Sequence, residues 1–394
     1  MEIKILHPTS QKIKFKPVIG EKMNDLGFRL KDFLDEDEFD SLVSETGHIL
    51  SRCSDPKLNQ EQDVTHLTVG YVQSGKTLSF TALTALAADN GYRIVIYLAG
   101  TKNNLLSQTT KRLTKDLITS SSLNNAYKIF ENPTESKILE IRNKLRLSSK
   151  PTVLITLLKH YDHINKLAEI FKSQPIKKEL DKQGVLIIDD EADQASLNGF
   201  SYVNSKKKST SSEWDEETDN KESSTYASIL NLRAAIPNHS YVQYTATPQG
   251  PLLISIMDLL SPESHTVLTP GKKYTGGKTY FKDYPDLIIS IPDNEVFHYK
   301  DNPLKFPPNS LKEALQVYIL GVALITNFWN KEKFLSMMVH ADRQKDVSRL
   351  FYTWVSELID RWTTILNLEN GDIGREDLDK EFKEIYEKEA TKFY

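Results

Sequence analysis

Gly70-Tyr71-Val72-Gln73-Ser74-Gly75-Lys76-Thr77 has the spacing of a phosphate-binding loop: a paired glycine turn followed at once by an ammonium and a hydroxyl. Backbone N–H groups and the dipole at a helix N-terminus attract a polyphosphate. Lys76 adds a point charge beside the β- and γ-phosphates, and the Thr77 hydroxyl suits Mg²⁺. Gly70, Gln73, Ser74, Gly75, Lys76 and Thr77 are therefore the candidate nucleotide-binding residues. A second run, Val185-Leu186-Ile187-Ile188-Asp189-Asp190-Glu191-Ala192-Asp193, is apolar and ends in carboxylates. In-line attack on a γ-phosphate needs a metal-holding acid and a base that orients or deprotonates water, and Asp190 and Glu191 are placed for these roles. Asp189 competes for the metal. Asp190 is preferred because Asp-Glu-Ala-Asp then stands as a unit, with Asp193 free to link onward. A third run, Tyr241-Val242-Gln243-Tyr244-Thr245-Ala246-Thr247-Pro248, ends in two hydroxyls. Thr245 and Thr247 suit hydrogen bonds to the Asp193 region, coupling it to the presence of a γ-phosphate.

Each motif needs an element behind it. Thr65 to Val69 is β-branched and apolar, and Leu78, Phe80, Leu83, Leu86 and Ala87 recur at helical spacing until Asn90-Gly91, so a strand, a loop and a helix are predicted in that order. Short apolar runs at Leu67–Val69, Arg93–Leu98, Thr152–Ile155, Val185–Ile188 and Tyr241–Tyr244 alternate with amphipathic segments, the pattern of a parallel sheet covered on both faces. The fold class expected for residues 61–260 is thus a doubly wound α/β core. Residues 1–60 read as a helical lead-in. Residues 204–224 are a charged, nearly apolar-free insertion expected to be mobile. Residues 261–310 are punctuated by Pro and Gly and read as a connection. Residues 311–394 hold a helix from Leu311 to Trp329, one strand from Phe334 to His340, and further helices.

Composition narrows the classes. The formal net charge of -4 gives no global pull toward nucleic acid, so any such surface must be local. A single cysteine, Cys53, excludes an internal disulfide framework or a cysteine-rich zinc site and fits a reducing, cytoplasmic setting. The start of the chain lacks a signal-peptide core, and the apolar stretch from Leu315 to Trp329 is interrupted by Gln316, Thr326 and Asn327, so a buried helix is expected there and no membrane span.

Read in order, GYVQSGKT, DDEAD and TATP resemble motifs I, II and III of superfamily-two helicases and translocases, the DEAD-box-like P-loop group. The wording GYVQSGKT, IDDEADQAS and YTATP is most similar to bacterial helicase-like proteins that carry the so-called Z-one domain and are often labelled endonucleases. The resemblance covers about residues 60–260, and Ser336–His340 more loosely. It implies a RecA-like ATP- and Mg²⁺-binding lobe acting on nucleic acid, DNA above all. It also implies nucleic-acid contacts from Thr101 and Lys102 in the segment Tyr97–Leu105, and from Thr156, Lys159 and His160 after the Thr152–Ile155 strand. Lys111, Arg112, Lys115 and the segment Ile141–Lys150 add local basic charge. Gln60 or Gln62 would stand where related motors read adenine.

The resemblance also sets limits. A two-lobed motor takes arginines from its second lobe, and no arginine pair of that kind follows His340; Arg343 lies too near the start of that segment to take the role. A truncated second lobe, or a partner protein completing it in trans, is expected, with slow intrinsic hydrolysis. Glu381-Phe382-Lys383 lies in a charge-alternating helical run, which argues against nuclease chemistry there. Gly276-Gly277-Lys278-Thr279 mimics a phosphate loop, but no apolar strand precedes it. The readings that compete are a DNA motor subunit and a nucleotide-gated module that grips DNA or a partner.

Overall fold

The computed structural model describes residues 13–58, 61–72, 74–180, 183–196, 224–253, 259–296, 304–329, 335–342 and 344–390. Gln60, Gln73, Arg343 and all but the last residue of the expected 204–224 insertion lie outside the described residues. The chain divides into two compact units, Met1–Gly276 and Gly277–Tyr394.

In the first unit, β1 (Gln62–Val69), β2 (Ile94–Ala99), β3 (Tyr127–Glu131), β4 (Thr152–Leu157), β5 (Val185–Asp190), β6 (Asn238–Thr245) and β7 (Ser264–Val267) form one sheet in the order β3-β4-β2-β5-β6-β1-β7. Every pairing is parallel. Successive side chains on a strand face opposite ways, so a strand covered on both faces must be apolar throughout. β2 obeys this: Val95 and Tyr97 enter one core, and Ile94, Ile96 and Leu98 the other. The first core is closed by α1 (Glu21–Leu30), α2 (Glu36–Ser51) and α3 (Lys76–Asp89), and the second by α5 (Ile138–Arg146), α6 (Tyr161–Lys172), α7 (Gln174–Leu180) and α8 (Ser224–Ala234). α4 (Asn103–Leu113) follows β2.

β3 and β7 are the two edge strands, and β7 adds a strand inside the segment 261–310 that the sequence marks only as a connection. The lead-in carries the helices α1 and α2, and it packs on the sheet unit instead of standing apart. α3 is buried on nearly every side, its small residues Ala82, Ala85, Ala87 and Ala88 fitting between the sheet and α1 and α2. α1 has no cap from its own N-terminal residue; the Asp89 carboxylate at the end of α3 accepts the N–H groups of Gly20, Lys22 and Met23 at 2.9–3.0 Å. The sole cysteine, Cys53, is fully buried after α2, and burial pushes its thiol up to about 12.

The second unit contains α9 (Asn309–Trp329), α10 (Lys345–Leu366) and α11 (Ile373–Ala390) around a core of Leu311, Leu315, Phe351, Trp354, Trp362 and Leu378. Two expectations are corrected here. Residues 335–340 form no strand: no other strand occurs among the described residues of this unit, so an apolar run has nothing to pair with. α9 is buried at its start, but Val322 and Leu324 on its later turns are exposed. No helix among the described residues is long and apolar enough to cross a membrane. Glu381 and Lys383 lie on α11, and Lys383 pairs with Glu387 one turn on, as a solvated helix face does.

Candidate nucleotide site

All the strands run the same way, so their carboxyl ends share one rim, where ligands of open α/β sheets sit. Register fixes which tips are neighbours. Val69 pairs with Thr245, Asp190 with Tyr244, and Ala99 with Asp190. The phosphate loop, the acid turn and the two threonines therefore emerge from β1, β5 and β6, three strands that lie side by side.

Within the loop, Gly75 has φ +97, a left-handed turn that lets α3 begin at Lys76. A β-carbon at Gly70 would lie 2.9 Å from Cγ of Lys76, so the loop closes tightly over its own start. Lys76 is half-buried, and its ammonium donates to the Tyr71 carbonyl at 3.3 Å. Ser74 Oγ is buried and has no hydrogen-bond partner among the described residues. Thr77 occupies the first turn of α3.

The acid turn begins with two adjacent aspartates that face opposite ways. Asp189 points inward and is fully buried, taking an ion pair from Lys159 at 2.7 Å and a hydrogen bond from the Tyr241 hydroxyl. Asp190 faces the rim. Burial pushes its carboxyl up to about 6, against the opposing pull of Lys159 and Lys76. Asp189 is thus the counter-ion of Lys159. Glu191 follows at φ 55. Asp193 Oδ1 accepts from the Thr245 hydroxyl and Oδ2 from the Thr247 hydroxyl, both at 2.6 Å. Its carboxyl lies below the usual range, because these two hydrogen bonds outweigh the opposing effect of burial. The Thr247 N–H donates to the Thr245 hydroxyl at 2.9 Å, and the Ala192 N–H to the Tyr244 carbonyl at 3.0 Å.

A strap not anticipated from the sequence closes the other side. After β7 the Leu268 N–H donates to Val69, and the Tyr274 hydroxyl to the Val72 carbonyl at 2.8 Å, with the Tyr71 and Tyr274 rings 5.9 Å apart. Lys272 reaches Asp35 and Asp37 at the start of α2 at 2.7 and 3.1 Å. Between α2, the loop and this strap lies a cavity of about 420 Å³ lined by Phe33, Leu34, Ser74, Gly75, Leu78 and Tyr274 among others, within the size range of small-molecule sites. The signal for it in the sequence was the Thr269–Tyr274 turn, whose lysines and tyrosine had no other assigned use.

The residues suggested for nucleic acid separate. Thr101 and Lys102 are exposed at the start of α4, and Lys111, Arg112 and Lys115 are exposed further on. Thr156 and Lys159 are not on the surface: Thr156 is fully buried with its hydroxyl 2.9 Å from that of Thr110, and the Lys159 ammonium is sealed beneath the acid turn. Direct contact with a polynucleotide is ruled out for both in this conformation. Gln62 opens β1 at the amino edge, opposite Asn238, about 23 Å along the strand from Val69 at ~3.3 Å per residue. It does not reach a base at the phosphate loop. Gly276-Gly277-Lys278-Thr279 has no strand leading directly into it, since β7 ends at Val267.

Residues 310–393 match the Z1 domain family. This match covers about a fifth of the chain and lies outside the motifs at 60–260. No curated protein matches the chain. Among solved structures it is similar to the DUF1998 helicase MrfA bound to DNA, at 16% identity over 65% of this chain and 29% of that one, with a TM-score of 0.38. The same helicase bound to DNA and AMPPNP gives 15%, 66%, 31% and 0.37. A nuclease-deletion mutant of the Type ISP restriction-modification enzyme LlaGI, in complex with a DNA substrate mimic, gives 14%, 92%, 31% and 0.33. The chain spans about a third of the length of these proteins.

Proposed function

We propose that the chain is a Mg²⁺-dependent, ATP-binding, helicase- or translocase-like motor subunit that acts on DNA in a bacterial defence or restriction-like system. The observation that supports this best is the convergence of phosphate loop, acid turn and threonine pair on three adjacent strand tips. The loop presents backbone N–H groups at the start of α3 and leaves the Ser74 hydroxyl without a partner, which suits an anion. Lys76 neutralises the β- and γ-phosphates, and the nucleoside enters the cavity between α2 and the strap. Thr77 and Asp190 would hold the metal. Two protein donors suffice for Mg²⁺, which keeps water and phosphate oxygens as its other ligands. When bound, Mg²⁺ neutralises charge that develops on the transferring phosphoryl group. Glu191 orients the attacking water and takes its proton. Asp193, held by Thr245 and Thr247, couples the acid turn to the loop that follows β6.

The exposed Thr101–Asn104 segment and the basic face of α4 form the DNA side. Intrinsic turnover is slow, and a partner protein supplies an arginine finger, a group worth about 10³–10⁵ in rate in other phosphoryl-transfer systems. The test is ATPase activity with and without single- and double-stranded DNA. DNA-stimulated turnover that disappears in Lys76→Ala and Glu191→Gln is expected. Tight ATP-dependent DNA binding without turnover would replace the motor with a nucleotide-gated switch, and absence of nucleotide binding would remove both.

A further inference from the structure

Lys159, just past the tip of β4, makes contacts at the tips of both β2 and β5. Its ammonium donates to the Asp190 carbonyl at 2.6 Å, to the Glu191 carbonyl at 2.8 Å and to the Gln194 carbonyl at 3.3 Å, and it forms an ion pair with Asp189 Oδ1 at 2.7 Å. Three protons thus have three carbonyl acceptors, two at the start of the acid turn and one just after it. That turn includes Glu191 at φ 55, a backbone conformation that a side chain rarely adopts unless its surroundings hold it. The Lys159 N–H meanwhile donates to the Gly100 carbonyl at 2.8 Å, and Gly100, at φ +71, leads directly into the exposed segment Thr101–Asn104. The Thr110–Thr156 hydroxyl pair makes a second tie between α4 and β4. A solvated lysine would have none of these geometric demands, and a purely structural ion pair would need only Asp189.

We propose that Lys159 is a positioning residue: it fixes the carbonyls of Asp190 and Glu191 so that the Glu191 carboxylate is held toward the attacking water, and it joins that turn to the Thr101–Asn104 rim, so that DNA engaging the rim alters the rate of hydrolysis. The inference rests on the ATPase reading above. Because the ammonium also neutralises Asp189, its removal alone leaves a buried carboxylate unpaired. The informative variant is therefore Lys159→Met combined with Asp189→Asn, in which the Tyr241 hydroxyl keeps an acceptor.

The experiment measures a fluorescent ATP analogue's affinity, the kcat and KM for ATP, and the stimulation by DNA, for the wild-type chain, the double variant and Lys159→Arg. For the folded double variant, nucleotide affinity is expected within about threefold of wild type, with kcat lower by about 10²-fold and DNA stimulation lost, the scale associated with misplacing a catalytic group by an ångström. Lys159→Arg, which keeps the charge but cannot aim three donors at the same acceptors, is expected to fall between the two. A folded double variant with wild-type kcat and DNA stimulation would overturn the proposal and leave Lys159 a structural counter-ion. Should the double variant fail to fold, Lys159→Arg at full kcat overturns it equally. A wild-type chain that binds the analogue but never turns over ATP also overturns it, whereas one that binds no nucleotide defeats the ATPase reading itself.

Discussion

Glu191 keeps a left-handed backbone although it carries a β-carbon, at a cost of roughly 1–2 kcal/mol for an ordinary side chain. Asparagine tolerates that conformation better. Glu191→Asn is therefore expected to raise unfolding stability by about 0.5–1 kcal/mol while abolishing hydrolysis, the trade expected where a site stores strain. Urea unfolding of the two proteins checks this; an unchanged or lower midpoint for the variant would show that no strain is stored there. The same turn shows how much of the site was legible. The loop and the acids were readable because strand, motif and helix agreed. The place of Lys159 was not: the resemblance implies a nucleic-acid contact there, whereas the ammonium is buried against Asp189. A clue was present in the doubled aspartate: neighbouring strand residues face opposite ways, so one carboxylate must turn inward and needs a buried cation.

The helices of the lead-in depend on side chains from other elements. Asp89 at the end of α3 caps α1, and Asp25 on α1 accepts from Arg29, Ser121 and Ser122. Asp89→Ala removes acceptors for three N–H groups and is expected to cost about 2 kcal/mol, read as a shift in thermal midpoint. Asp25 gives a pH signature. Burial alone would raise its carboxyl, yet the bonds from Ser122, Ser121 and Arg29 win and hold it at about 2, below the ordinary 3.8. Its stabilising effect is therefore complete above the ordinary value and is lost as pH falls toward 2. Asp25→Asn should cost about 1 kcal/mol at pH 7, after allowing for screening, and close to nothing near pH 2. Denaturant midpoints at both pH values test the sign. Central strands were readable in the sequence because burial on two faces demands unbroken apolar runs. The edge strands β3 and β7, short and more polar, carry no such demand, and the run before His340 lacked a partner strand that would have made it one.

Across the whole molecule, every residue assigned to nucleotide lies in the unit Met1–Gly276. A chain ending at Gly276 is expected to bind a fluorescent ATP analogue within about threefold of the complete chain's affinity; by the arithmetic of binding, a loss beyond about tenfold, over ~1.4 kcal/mol, would mean that the Z1-matching unit contributes directly. The sealed thiol of Cys53 has a practical consequence of its own. Dyes that react with thiolate find no native target in the folded protein. One cysteine introduced at Lys102 would then accept a single fluorophore, free of background labelling, and its polarisation would report whether the outer lip of the sheet meets a polynucleotide.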